Sequence, residues 1–458
     1  MSERTVLYRQ PSGRSFKKIG LLFATLAGFL TIPARAADLT YFLGYGLTYT
    51  TNIDRVTERP QAVPPVVERD EYVHSLIAGF TYVDATPTLN LRFVTNVEYL
   101  NYANSTSDNQ ARPTLDAFAL WAISPQRFTW TLEDNVRQVS ANPTQPNTPS
   151  NTVTANLLNT GPDFYLRFGP VNTLQLGARA GNVYIENSDA DNVRSLGYVR
   201  WLNQISPQTT WSLNYEALAV DYKNEVPNNN FARQDYFVRV LSKPTRSTFD
   251  LSLGGSKIRQ DRANDVDGSL ARLSWTREIN TESALGTVAE ASYGDTGTDL
   301  SATANVANTP VSGPGVSTSQ NLVTQGIFYA KRGTIFYRQL GSHLSIETRV
   351  FINNLEFETV SLDDRKDSGG AGALTYKFTG ATSAGIFGDR RNTHYLNVTR
   401  EDTDTNYGLR YSYLITRTLS TTLELARSER DSTGPTLNYV DKRVLFTLLY
   451  KSGLPVRR

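Results

Sequence analysis

Apolar and polar residues alternate one by one through long stretches of this chain. In residues 89–99, five apolar side chains fall on one face and four polar ones on the other. The first face carries Leu89, Leu91, Phe93, Val97 and Tyr99, and the second carries Asn90, Arg92, Asn96 and Glu98. Successive side chains of a β-strand point to opposite faces, so a period of two indicates strands. The same alternation recurs in segments that begin at Trp211, Phe249 and Tyr407, and the sequence therefore predicts an all-β protein.

Short turns separate these segments at regular intervals. The turn landmarks are Ala85, Ser124, Gly169, Ser206, Ser242, Asn280, Gly341, Gly380 and Thr416. Seven of the eight intervals between them are 36 to 45 residues long and one is 61, which fits two long strands, a tight turn and a looser loop. Two strands around each turn, a first strand near residues 39–51 and a last near Tyr439–Lys451 predict 20 strands. Merging or splitting one weak hairpin would give 18 or 22.

The length of the strands indicates that the apolar face of the sheet contacts lipid. By pattern they span 12 to 17 residues, whereas strands of soluble proteins average about five or six. A chain of long hairpins must close on itself or leave an edge. The predicted fold is therefore a transmembrane antiparallel up-and-down β-barrel of the outer membrane, with short periplasmic turns and longer extracellular loops. The alternative is a soluble sandwich.

All five tryptophans lie within six residues of a turn landmark: Trp121, Trp130, Trp201, Trp211 and Trp275. Amphipathic rings favour the membrane boundary, so we expect one aromatic belt near the turn side of the barrel. Ordinary core tryptophans are the competing interpretation.

Three polar segments rich in proline, serine, threonine and asparagine interrupt the alternation. They are residues 52–70, 142–151 and 295–320. We expect them to be extracellular loops or constrictions folded into the lumen. The longest of the three explains the 61-residue interval.

The first 36 residues are typical of a secretory signal peptide. Basic residues precede an apolar run from Ile19 to Ile32, and Ala34-Arg35-Ala36 forms a cleavage site. We expect a single barrel domain at 37–458, with a short C-terminal extension at 451–458. We expect no plug domain before the first strand, which argues against an energy-coupled receptor.

Composition excludes several classes of function. The chain has 46 Lys/Arg and 44 Asp/Glu, of which six and one lie in residues 1–36, so the mature charge is −3. No basic block suggests nucleic acid. Cysteine is absent, which removes disulfides and thiolate chemistry. Nor does the chain show metal-ligand spacing or a phosphate loop, and we expect no cofactor and no enzymatic activity.

Only one residue is a candidate for catalysis. The three histidines, His74, His343 and His394, are far apart in sequence. His394 lies close to Asp389 in a charged outer segment, an arrangement that a barrel hydrolase could use. An isolated solvated histidine is the stronger interpretation.

Strand parity also predicts which charged residues line the pore. The predicted set is Arg92, Glu98, Arg167, Arg179, Glu216, Arg233, Asp235, Arg239, Asp250, Glu347, Arg349, Arg410, Glu424 and Arg443. A mixed lining in which arginine is commonest fits a pore for polar or anionic solutes. The alternative is that cross-strand pairs brace the wall.

Both ends of the mature chain resemble a known family. The opening stretch 45–52 (YGLTYTTN), a polar loop and residues 75–80 (SLIAGF) resemble the start of β-barrel porins linked to exopolysaccharide gene clusters. The end is similar as well, with Tyr411-Ser412-Tyr413, residues 425–431, Tyr439 and Arg443. The resemblance implies an outer-membrane barrel that exports or secretes a polysaccharide, and it supplies no functional residues.

Four functions therefore remain open. The leading interpretation is a conduit for exopolysaccharide export, with polysaccharide and periplasmic export components as partners. A general porin for small hydrophilic solutes is the second, and an outer-membrane hydrolase and a surface adhesin are the others. An inward-folded 295–320 segment favours the porin, whereas an open lumen lined by exposed aromatics favours the polymer conduit. In every case we expect contact with outer-membrane lipid and the barrel-assembly machinery.

Overall fold

A computed structural model describes residues 38–59, 61–62, 65–223, 229–307, 326–358, 363–434 and 436–452, with the backbone alone for 302–307. The predicted signal peptide, residues 1–36, lies outside these ranges, as does most of the predicted C-terminal extension. Within the extension, Lys451 is the last residue of the final strand. The next residue, Ser452, also contacts the first strand, because its Oγ accepts a hydrogen bond from Tyr41 N at 2.8 Å.

The described chain forms one closed sheet of 20 strands. They are β1 (Asp38–Thr50), β2 (Glu71–Ala85), β3 (Leu89–Tyr102), β4 (Gln110–Ser124), β5 (Phe128–Ser140), β6 (Thr152–Phe168), β7 (Asn172–Ile185), β8 (Asn192–Ser206), β9 (Thr209–Tyr222), β10 (Phe231–Ser242), β11 (Ser247–Gln260), β12 (Val266–Glu278), β13 (Ser283–Gly294), β14 (Phe328–Leu340), β15 (Leu344–Phe357), β16 (Arg365–Lys377), β17 (Thr382–Tyr395), β18 (Glu401–Leu414), β19 (Leu419–Ser432) and β20 (Tyr439–Lys451). Each strand pairs antiparallel with its chain neighbours, and β1 pairs with β20, from Phe42 opposite Lys451 to Thr50 opposite Arg443. The predicted barrel and its strand number are confirmed.

Helical segments lie between some of the described strands. A 3₁₀ turn, Pro149–Asn151, precedes β6, and a helix, α1 (Thr296–Ala307), follows β13. No helix within the described ranges is long and apolar enough to cross a membrane.

The outward face of the sheet is apolar along its length. Leu76, Val350, Ile352 and Leu409 are each between 55% and 66% exposed on that face. A continuous exposed apolar surface of this kind is unstable in water and stable in lipid. Because the backbone hydrogen bonds of a closed barrel are all satisfied between strands, such a sheet can span a membrane. The protein is an outer-membrane β-barrel.

The short turns lie where the sequence predicts them. The two Ile-Ser-Pro-Gln turns follow β4 and β8, and each strand carries a register shift at its last residues, between Ala122 and Ser124 and between Gln204 and Ser206. A bulge adds one residue and sharpens the local twist, so the repeated sequence forms the same strand end twice.

All five tryptophans lie on the outward face near the short turns. Trp121 is paired opposite Trp130, and the rings of Trp201 and Trp211 are 5.5 Å apart. The predicted aromatic belt is therefore present at the turn end of the barrel.

Candidate functional site

The pairing register places all fourteen predicted pore-lining residues on the inward face. For example, Arg239 is opposite Ser212 and Ser252, while its neighbour Val238 faces outward and is 44% exposed. Position alone does not establish that a residue contacts a permeating solute, so their role in permeation stays a prediction.

Ten of the fourteen take part in ion pairs, which supports bracing of the wall as the main role of most of them. The pairs are Arg92–Asp116, Arg179–Asp163, Arg200–Glu216, Arg233–Asp235, Arg239–Asp250, Arg410–Glu424 and Arg443–Asp441. Of the other four, Arg167 donates to Gln126 Oε1 at 2.8 Å in a short turn, and Glu347 is paired opposite Arg338 near another turn. Glu98 and Arg349 border the cavity described below.

The helix α1 folds into the lumen from the outer end of β13. Asp295 immediately precedes it and is fully buried, and its carboxylate pairs with Arg194 on β8. The same carboxylate accepts hydrogen bonds from the backbone N–H of Gly297 at 3.1 Å and of Thr298 at 3.3 Å. Asp295 is therefore both the N-cap of the helix and its link to the barrel wall.

Charge holds Asp295 in its ionised form. Burial alone would raise the pKa of Asp295. The positive charges of Arg194 and Arg233 and the hydrogen bonds from the Thr298 hydroxyl and the Gly297 N–H have a larger opposite effect. The pKa of Asp295 is therefore below its ordinary value. A Cβ atom at Gly297 would lie 2.3 Å from Nη1 of Arg194, so only glycine allows the guanidinium to approach this closely.

Two further contacts hold the helix, one on β14 beside β13 and one on the far side of the lumen. Asp299 pairs with Arg332 on β14 at 2.6 Å, while Leu300 is 2% exposed and packs in an apolar cluster with residues of β5, β6 and β7. The cluster contains Val139, Val153, Ala155, Leu157, Val183, Ile185, Ala190 and Leu300. Because β5 and β13 are eight strands apart in a ring of 20, α1 crosses the interior. The segment 295–320 is thus folded inward over its described part, one of the two arrangements expected from the sequence.

A second loop, 142–151, also crosses the outer end of the lumen. Its Thr144 carbonyl accepts a hydrogen bond from Arg400 Nη2, in the loop between β17 and β18, at 2.5 Å. Its Pro149 carbonyl accepts one from Gln110 Nε2 on β4 at 3.2 Å. The third predicted loop, 52–70, contacts β20, because Arg55 Nε lies 3.9 Å from Asp441 Oδ2.

Between these segments and the wall lies a cavity of about 700 Å³. Its lining comes from β1–β6 and β15–β20, and one lining residue, Val139, also belongs to the apolar cluster that holds α1. Asn147, Thr148 and Pro149 of the 142–151 loop border it on one side. Its size lies within the range of about 300–1,000 Å³ that is typical of small-molecule sites.

The border of the cavity is rich in charge, and arginine predominates. Its inward-facing charges are Arg55, Arg112, Arg349, Arg391, Arg430 and Arg443 against Glu98, Asp389, Asp404 and Asp441, while Arg390 points outward from β17. Several of these charges neutralise one another. Arg430 donates to both carboxylate oxygens of Asp404, at 2.6 and 2.8 Å, and Arg443 approaches Asp441 at 3.5 Å.

The histidines lie away from the cavity. His394 is on the outward side of β17, its side chain is 56% exposed, and its Nδ1 is 2.9 Å from Glu401 Oε1. His74 contacts the Tyr45 hydroxyl at 2.7 Å, and His343 contacts the Lys377 carbonyl at 3.1 Å. His394 therefore faces away from the lumen, and its nearest partner is Glu401 rather than Asp389. Within the described ranges, no group of three or more His, Asp or Glu residues is placed to hold a metal ion.

The sequence interpretation missed two sets of residues. Arg112, Arg391 and Arg430 obey the same parity rule as the predicted set and could have been found by it. The anchor of α1 could not have been found by parity, because Arg194 pairs with Asp295, which is 101 positions away in the sequence. A sequence signal did exist for its hydrophobic part, since apolar residues occupy inward positions at the outer ends of β6 and β7, where a polar lumen would be expected.

No family model matches the sequence, and no curated protein matches it. Solved structures share only the general architecture. They include the siderophore receptor PirA from Pseudomonas aeruginosa, with 9% identity, a TM-score of 0.40 and coverage of 90% of this chain and 80% of that chain. OccK2 from Pseudomonas aeruginosa, solved in complex with glucuronate, has 8% identity, a TM-score of 0.39 and coverage of 91% and 98%. The FrpB iron transporter from Neisseria meningitidis has 8% identity, a TM-score of 0.42 and coverage of 90% and 82%. Similarities at this level show a shared type of fold and carry no information about the function of this chain.

Proposed function

We propose that the protein is an outer-membrane channel that passes small hydrophilic solutes, a porin whose lumen is narrowed by inward-folded segments. The observation that carries this proposal is the path of α1, which runs from the outer end of β13 to the apolar cluster on β5–β7. The 142–151 loop narrows the same end of the barrel through its contact with Arg400.

The size and lining of the remaining space support a channel for small molecules. Barrels of 16 to 18 strands already enclose an aqueous channel, so 20 strands leave room for water and solute beside the inward-folded segments. The cavity of about 700 Å³ is lined mainly by charged and polar side chains. Polar walls of this kind replace part of the hydration of a small polar solute as it passes.

Export of a polymer is less well supported, although the sequence resemblance favours it. A polysaccharide conduit needs an open lumen and exposed aromatic faces on which sugar rings can stack. The aromatic residues that border the cavity are Tyr102, Phe351 and Tyr439, and two of them, Tyr102 and Tyr439, are only 4% and 7% exposed. The described inward-folded segments also reduce the space that a chain of sugars would need.

Liposome swelling with a series of neutral sugars tests the proposal. We expect rapid uptake of monosaccharides, slower uptake of disaccharides and still slower uptake of longer oligosaccharides, because α1 and the 142–151 loop restrict the path. Liposomes without protein serve as the control. Equal rates for monosaccharides and long oligosaccharides, or no uptake of any sugar by a folded barrel, would contradict a small-solute porin.

A further inference from the structure

Two arginines on neighbouring parts of the cavity wall are left without a carboxylate partner. Arg349 on β15 and Arg391 on β17 both border the cavity. Neither forms an ion pair closer than 4.0 Å with any residue that the structure describes. The Nε atom of Arg391 is buried and has no hydrogen-bond acceptor there. An unsatisfied buried donor is costly, which makes this position suited to an acceptor from outside the chain.

Two carboxylates lie near these arginines, and one of them is neutralised by a third arginine. Asp404 is directly opposite Arg391 in the sheet, but both of its oxygens accept hydrogen bonds from Arg430. Asp389 lies on the same strand as Arg391 and accepts a hydrogen bond from Asn406 Nδ2 at 3.1 Å. One carboxylate therefore stands beside two guanidinium groups, and the local charge is positive.

The strand between the two arginines is built from small residues. Arg349 is opposite Ala371, and Arg391 is opposite Gly369, both on β16. A Cβ atom at residue 369 would lie 2.2 Å from the Arg390 carbonyl oxygen and 2.9 Å from the Phe351 ring, so only glycine fits. Two strand spacings of about 4.8 Å place the backbones of β15 and β17 about 10 Å apart, and the small residues of β16 leave room between them that the Phe351 ring fills in part.

The Phe351 ring borders this space on one side and orients the Arg391 guanidinium. It packs over Gly369, and the Arg391 guanidinium lies 5.9 Å from the ring centroid. A cation held against an aromatic face keeps its orientation without a carboxylate. The fork of Arg391 is thus held in place while some of its hydrogen-bonding capacity stays unused.

We propose that Arg349 and Arg391 form a binding site for an oxyanion, a carboxylate or phosphate group carried by a small hydrophilic solute. This inference rests on the proposed channel function, since it assigns the class of solute that the channel retains. The planar guanidinium presents paired donors that match a carboxylate or phosphate, and hydrogen bonds between charged groups are the stronger ones. The site lies in the cavity that the 142–151 loop borders.

Block of the channel current measures this binding directly. In planar bilayers we would record the ion current of the wild type while adding glucose, gluconate or glucose 6-phosphate, which are similar in size. We expect gluconate and glucose 6-phosphate to reduce the current in a saturable way, and glucose to leave it unchanged. The carboxylate and the phosphate are thereby tested in separate arms.

Substitutions locate the site. R349Q and R391Q should each lower the blocking affinity about tenfold, or about 1.4 kcal/mol, while uptake of neutral sugar persists. The matched control is R427Q, because Arg427 lies on the outward face, pairs with Glu429 and is 40% exposed. The lysine variants R349K and R391K keep the charge but lose the fork, and we expect blocking affinities between those of the wild type and the glutamine variants.

The outcomes separate this inference from the proposed function. A wild type that passes neutral sugars but is not blocked by either anion, or R349Q and R391Q variants blocked as tightly as the wild type, would overturn the site and leave the channel intact. Lysine variants with unchanged affinity would refute recognition through the guanidinium fork. Failure of neutral sugars to pass would instead count against the channel itself.

Discussion

At the scale of single residues, strand parity identifies inward-facing charges but does not reveal their partners. The parity of β7 places Arg179 inside the barrel, and the structure shows it 2.6 Å from Asp163, which is 2% exposed. Asp163 also accepts hydrogen bonds from Gln175 Nε2 at 3.0 Å and from the Tyr198 hydroxyl. Sequence patterns could not predict this network, because it depends on the register among three strands rather than on any one of them.

The Asp163 network leads to a prediction about stability. We expect D163A to lower the free energy of unfolding by about 3 kcal/mol, because it leaves the partly buried Arg179 without a carboxylate. The matched control is D250A, whose partner Arg239 is 40% exposed, and it should cost about 1 kcal/mol or less. Urea unfolding in lipid vesicles, followed by tryptophan fluorescence, measures both. Equal losses for the two variants would show that burial does not set the strength of these pairs.

At the scale of elements, the strands were predictable and the helix was not. Twenty strands follow from the period of two, because every strand has one face in lipid. Six of the twelve residues of α1 are Thr, Gly, Ser or Asn, which have modest or low helix propensity, and only three are alanine, so its sequence alone does not predict a helix. Its conformation depends on tertiary contacts, the Asp295 cap with Arg194 and the burial of Leu300, which sequence spacing does not show.

The anchor of α1 gives a pH-dependent prediction. The pKa of Asp295 is lowered in the folded barrel, so its ionised form contributes stability above the unfolded value of about 3.9. That contribution is lost only as the pH falls through the lower folded value. Arg194 and Arg233 both favour the ionised form of Asp295. We therefore expect the conductance of the wild type to be steady from pH 7 to about 5 and to rise only below about pH 3.9, as α1 detaches.

The variant D295N tests the same anchor at neutral pH. It removes the charge that pairs with Arg194 and preserves the shape of the side chain, so the mean conductance should be higher and noisier at all pH values. The exposed Asp431 on β19 provides a matched control in D431N. If D295N conducts like the wild type at pH 7, the helix is not held by this ion pair.

At the scale of the whole molecule, the sequence pattern predicted the architecture because barrel closure and lipid exposure constrain every strand in the same way. The contents of the lumen are less constrained, since a polar interior can remain open, be braced by ion pairs or be filled by loops. The distribution of contacts distinguishes these cases. Ion pairs brace much of the wall, and α1 and the 142–151 loop cross the outer end. A cavity bordered by six inward-facing arginines and four carboxylates remains there.

Single-channel conductance of the purified protein in a planar bilayer, recorded with and without added polysaccharide, tests the central claim most directly. We predict discrete conductance steps that a polysaccharide too large for the cavity does not block, because α1 and the 142–151 loop keep it out of the narrowed path. Steps that the polysaccharide blocks would contradict the small-solute porin and support a polymer conduit. The absence of any steps from a correctly folded barrel would contradict a channel function altogether.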